Sequence, residues 1–180
     1  MKRYLFVCIF VFFAETLFAQ EKDESSSLTR KEKRKAEMEK QYQLTKSMLE
    51  NKDFVLESNF LQDRYGNRVP VNSNINFIAV DSAEAIIQIG SDFRLGPNGV
   101  GGVTAKGDIT KWELTQNEKS KSFDLRLNVM TKIGFYDLFI TINSSGNASA
   151  LLTGLTSGRL TFDGELVPWK NSSVFVGQSL

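Results

Sequence analysis

The chain has 180 residues, 22 basic and 21 acidic, with one cysteine and no histidine. The missing histidine excludes Ser-His-Asp and Cys-His catalysis, the commonest metal ligand and the usual general base near neutral pH. A near-zero net charge gives no global attraction to nucleic acid or to acidic membranes.

The first residues read as a secretory signal peptide. Lys2 and Arg3 precede an apolar run from Leu5 to Ala14, and Leu17-Phe18-Ala19 ends the segment before Gln20. A basic start, an apolar stretch of about ten residues and a small residue at the cut predict cleavage between Ala19 and Gln20. The run falls short of the roughly 20 apolar residues that span a bilayer, so no transmembrane segment is expected. Cys8 lies inside the segment to be removed. The exported chain would then have no disulfide, no thiol chemistry and no cysteine-based zinc site. Cys8 also sits in the middle of the run, where lipid attachment is not expected. The expected location is periplasmic or secreted.

Residues 20–52 are charged and lack glycine and proline. They predict a flexible lead and then a helix, opened by the capping box Thr29 with Glu32. Met38, Tyr42, Thr45 and Leu49 recur at helical spacing on one narrow stripe, so the helix should lean on the rest through its C-terminal half. Glutamates 32, 37 and 39 interrupt the basic cluster Arg30–Lys35. A solvated helix start explains that cluster better than nucleic-acid or membrane binding.

From Asp53 to the end the period changes to two. "FDLRLNVM" sets Phe123, Leu125, Leu127 and Val129 on one face, and "DLFITIN" does the same with Leu138, Ile140 and Ile142. "INFIAV" presents Ile75, Phe77 and Ala79, and "RLTFDGELV" presents Leu160, Phe162, Gly164 and Leu166. Turn signals punctuate the runs at Gly66-Asn67, Asp81-Ser82, Asn117–Ser120 and Gly146-Asn147. About eight to ten half-buried strands joined by tight turns predict an all-β antiparallel meander. Closing into a small lipocalin-like barrel removes the sheet edges; a strongly curved sheet or a sandwich is the alternative. Residues 53–180 suit one such domain. Its interior would be filled by side chains or would hold one small ligand, and the sequence leaves both open.

"GPNGVGG", residues 96–102, raises the question of a phosphate loop. Gly101 is followed by Gly102 and Val103 where a Walker loop needs lysine and a hydroxyl. Thr104 stands where a dinucleotide fingerprint needs its third glycine. The stretch opens into a β-branched, alternating run instead of a helix, so neither nucleotide motif has its context. Glycines here supply positive φ or close backbone approach. Asn98, Gly99, Gly101 and Gly102 remain candidates for a recognition loop at the barrel mouth.

"NGVGGVTAKG", followed by "FDLRLNVM", "IGFYDLFITINSSGNASALLTG" and "GRLTFDGELVP", resembles the secreted bacterial domain-of-unknown-function family 4251. The resemblance runs from about Phe54 to Val176. It implies a lipocalin-like β fold, a Gram-negative origin of Bacteroidetes type and no assigned activity, and it carries over no catalytic or ligand residue. Asp81-Ser82-Ala83 resembles the sequon on which such bacteria place O-glycans on exported proteins, which makes Ser82 a candidate. Asp and Ser are also ordinary turn residues.

Asp163 and Glu165 share a strand face and could be stated as a hydrolase pair, but any half-exposed strand carries such pairs. No calcium loop or other metal motif is present, and no cofactor is expected. Trp112, Trp169, Tyr65, Tyr136 and Phe93 are candidates for stacking on a sugar. The leading expectation is a non-enzymatic binding module of the envelope, taking a small amphipathic ligand or a partner segment at the barrel mouth. The alternative is an envelope interaction protein with a filled barrel, acting through its surface and N-terminal helix. A carboxylate hydrolase is the remote third.

Overall fold

The structure, a computed structural model, describes residues 29–91, 99–154 and 158–179. The expected cleavage site Ala19-Gln20 lies outside them, as do Phe93 and the Gly96-Pro97-Asn98 part of the glycine stretch. The chain divides into two units, Met1–Lys35 and Ala36–Leu180.

Helix α1 spans Arg30–Asn51. The capping box forms as its sequence predicts: Glu32 N donates to Thr29 Oγ1 at 3.4 Å, and Thr29 N donates back to Glu32 Oε2 at 2.8 Å. The residues that α1 buries, Tyr42, Thr45, Met48 and Leu49, all lie in its C-terminal half. Met38 is half-buried and Met48 joins the stripe.

Nine strands follow: β1 Asp53–Asp63, β2 Arg68–Pro70, β3 Phe77–Asp81, β4 Glu84–Ile89, β5 Val103–Asn117, β6 Ser122–Thr131, β7 Gly134–Ile142, β8 Asn147–Gly154 and β9 Arg159–Val167. Each pairs antiparallel with the next in the order β2-β1-β3-β4-β5-β6-β7-β8-β9, and β1 also pairs with β9 from Val55–Val167 to Asp63–Leu160. That last pairing closes β1 and β3–β9 into an eight-stranded barrel. β2 lies beside the far half of β1, in line with β3. The meander predicts closure only as one of its options; the β1–β9 register decides it.

The barrel interior is filled. Phe54, Leu56, Ile78, Phe123, Leu125, Ile140 and Phe162 are at most 1% exposed, and they form one contiguous cluster. α1 adds Tyr42, Met48 and Leu49 to this cluster. The Tyr42 ring stacks on Phe123 with centroids 5.1 Å apart, and Gln116 hydrogen-bonds the Tyr42 hydroxyl. Lys121 reaches back to Glu39 and lies 4.9 Å over the Tyr42 ring. The helix thus covers the end of the barrel that carries the β5–β6 hairpin. Alternating strand directions put the glycine stretch, between β4 and β5, at the opposite end.

The face expected for β3 is reversed. Ile78 and Val80 face the interior, whereas Phe77 and Ala79 lie on the outer wall and are equally buried. The cause is the C-terminal segment after β9. With Val55 they form a second, small core to which Ile86, Val167, Trp169 and Val174 are added. Gln88, also outward and with no exposure, pins that segment: its Nε2 donates to Phe175 O at 2.8 Å and Ile75 O at 3.2 Å. Its Oε1 accepts from Gly177 N at 2.7 Å and Thr104 Oγ1 at 3.0 Å.

Candidate functional site

The sequence order of buried residues in β1 contains a phase change: Phe54 and Leu56 point inward, and then Leu61 does. The register with β9 shifts between Ser58 and Phe60, so Asn59 is an inserted residue and both Asn59 and Phe60 face out. Bulges of this kind bend a strand and re-aim side chains. The close approach they require is met by Gly164, where a Cβ would stand 1.8 Å from Glu57 O. Ser58 fills the turn inside, its Oγ donating to Phe60 O at 2.8 Å and Asp163 O at 3.3 Å.

The bulge opens a trough on the outer wall of about 670 Å³. Asn59, Phe60, Gln62, Arg68, Ser149 and Asp163 line its middle, with Asn147 and Glu165 toward the α1 end. A second depression of about 370 Å³ shares Gln62, Thr141 and Ser149 with it and runs on to Arg159. The two adjoin on the outer wall across β1, β9, β8 and β7.

Its polar groups are held in place before any ligand arrives. Arg68 Nη2 lies 3.3 Å from Asp163 Oδ2, and Ser149 Oγ donates to Asp163 Oδ1 at 2.7 Å. The Arg68 guanidinium sits 4.0 Å over the Phe60 ring, which is still 36% exposed. Arg68 is positioned in turn by the β1–β2 turn. Asp63 accepts from the side-chain amide of Asn67 at 2.8 Å and from the backbone of Tyr65 at 2.8 Å and Asn67 at 2.9 Å. These bonds, the Asn67 amide first, hold the Asp63 carboxyl below its ordinary value of 3.8. Tyr65 stands 74% exposed on the same turn.

The residues singled out from sequence fall in different places. Gly99 and Gly101 have φ of +76°, and a Cβ on Gly102 would stand 2.0 Å from Ile89 O. Ser91 N donates to Val100 O at 2.9 Å across the base of the stretch. The described glycines thus carry turn geometry and close approach, as expected of them, and lie away from the trough. Ser82 is exposed in the two-residue β3–β4 turn at φ +56°, its Oγ donating to Asp81 Oδ1 at 3.1 Å. Asp163 and Glu165 face outward beside Ser149 and Asn147, and the carboxylate of Asp163 is taken up by Arg68 and Ser149. Among the described residues no group of three or more His, Cys, Asp or Glu is arranged to hold a metal ion. Trp112 packs against the interior cluster beside Phe54, and Trp169 packs in the second core. Tyr136 packs against the interior cluster, close to where a Gly154 Cβ would stand.

Sequence reasoning missed Asn59, Phe60, Gln62, Arg68 and Ser149. The phase flip in "FVLESNFLQD" is the one local signal that could have found the bulge, and Phe60, apolar in the wrong phase, conceals it.

No described helix is long and apolar enough to cross a membrane. The model of the domain of unknown function DUF4251 matches residues 36–166. A crystal structure of a DUF4251 family protein from Bacteroides eggerthii DSM 20697 is similar, with 27% identity and a TM-score of 0.64. The match covers 75% of this chain and 92% of that one. No curated protein matches the sequence.

Proposed function

This chain belongs to the DUF4251 family, and from that premise we propose that it is an exported, non-enzymatic binding module of the bacterial envelope, working through the outer wall of a filled barrel. The observation that carries this is where space lies. Phe54, Phe123 and Phe162 fill the interior, buried to within 1%, while the open channel is outside, at the Asn59 bulge. A binding site is normally a preformed concavity with a few fixed polar groups, which describes the channel. The absence of histidine from the whole chain and the engagement of Asp163 by Arg68 and Ser149 favour binding over turnover. Export rests on the Met1–Ala19 signal pattern.

A ligand at the barrel mouth keeps one support. Val69 and Val103 pair with the inward Leu61 and Ile89 near the glycine end, yet are 52% and 40% exposed. Native mass spectrometry on protein gently purified from its own host separates the two. Both readings expect the chain from Gln20 onward, and the outer-wall reading expects no apolar molecule released on denaturation. An apolar molecule released on unfolding moves the site to the mouth, where Val69 and Val103 lie, and an uncleaved N-terminus removes export.

A further inference from the structure

Resting on the outer-wall reading, we infer that the channel at the β1 bulge takes a neutral, polyhydroxylated chain, that is, a segment of glycan. The lining selects this class. Asn59, Gln62 and Asn147 offer paired amide donors and acceptors, Ser149 and Thr141 offer hydroxyls, and Arg68 and Asp163 form an ion pair. The amides each meet two adjacent hydroxyls of a sugar ring, donating to one and accepting from the other, while Arg68 only donates and Asp163 only accepts. Phe60, 36% exposed with Arg68 against its ring, offers an aromatic edge to the C–H groups of a pyranose.

Other classes fit less well. A polyanion would meet Asp163 and Glu165 along with Arg68, so nucleic acid and phosphorylated chains gain no net attraction. A peptide entering by strand addition needs a free strand edge, and β1, β7, β8 and β9, which floor the channel, are bonded on both sides. A lipid chain needs a continuous apolar lining, which the amides and hydroxyls break up. The length also suits a chain more than a single sugar, because two depressions join through Gln62, Thr141 and Ser149.

The test is a titration of the 15N-labelled full chain with chitohexaose, xylohexaose and mannohexaose, read by amide chemical shifts. The expected result is saturable shifts of Asn59, Gln62, Ser149 and Asp163 with at least one of the three. Asp163→Ala should weaken that binding about tenfold, the loss of one charge-assisted hydrogen bond. Gln62→Ala serves as the second channel variant and Lys106→Ala, on the opposite wall, as the unaffected control; unchanged Phe54 and Phe162 amides show that each variant is folded. If no hexasaccharide moves these four amides, the glycan class is overturned while the outer-wall reading stands or falls on the mass measurement. If the shifts centre on Val69 and Val103 instead, both readings fail together.

Discussion

Gln88→Ala should release the C-terminal segment from the barrel. Gln88 has no exposure and makes four hydrogen bonds, to Ile75 O, Phe175 O, Thr104 Oγ1 and Gly177 N. Each buried bond of this type contributes about 1 kcal/mol net, so the four set a ceiling of about 4 kcal/mol. Water reaches part of the site once the side chain is gone, because Phe175 is already 62% exposed. The expected loss is therefore about 2–3 kcal/mol, a large share of the roughly 5–15 kcal/mol that holds a typical domain. Gln88→Glu sharpens the test. It keeps the oxygen that accepts from Gly177 N and Thr104 Oγ1 but turns a second oxygen toward Ile75 O and Phe175 O in a dry site, so it should cost at least as much as alanine. Urea unfolding of the three proteins gives the stabilities, and hydrogen exchange at Gly177 reports whether the segment itself has loosened. If both variants fall within about 0.5 kcal/mol of the parent, the segment is held by its apolar contacts alone and the reasoning fails.

Gly164→Ala should destabilise by about 2 kcal/mol or more, since its Cβ would stand 1.8 Å from Glu57 O and backbone must move; a neutral result in thermal unfolding would mean the bulge is soft. Phe162→Ala removes a fully buried ring from the interior cluster and should cost about 3–5 kcal/mol by urea unfolding, whereas an empty barrel would lose far less. Asp63 has a folded pKa below its ordinary value of 3.8, so its contribution to stability is present above that value and is lost as pH falls through the lower, folded one. Asn67→Ala should move the Asp63 titration, followed by carboxyl NMR, upward toward 3.8; an unmoved midpoint would deny the Asn67 amide its role.

How much of this was legible in the residues depends on the distance over which each feature is decided. Inward sets such as Phe123, Leu125, Leu127 and Val129 follow from alternation, because side chains two apart in a strand share a face. The capping box at Thr29 and Glu32 is likewise complete within one helical turn. The turn at Gly146, with φ +87°, needs only its own missing Cβ. For the same reason the glycine stretch read as turn chemistry, and its described part behaves so.

β3 shows where that reasoning stops. Phe77 and Ala79 alternate with Ile78 and Val80, but both faces are apolar, so period alone cannot say which is inside. The C-terminal segment buries the outer one, through contacts such as Gln88 to Phe175, 87 residues apart. The channel is decided at the same range. Ser58 bonds Asp163 across 105 residues, and only that register turns Asn59 and Phe60 outward beside Arg68 and Ser149. The residues themselves determined the meander, the caps and the turns, because each is settled among neighbours in the chain. Closure of the barrel, the buried outer face of β3 and the channel were decided only in three dimensions, because each depends on which distant backbone supplies the hydrogen bonds.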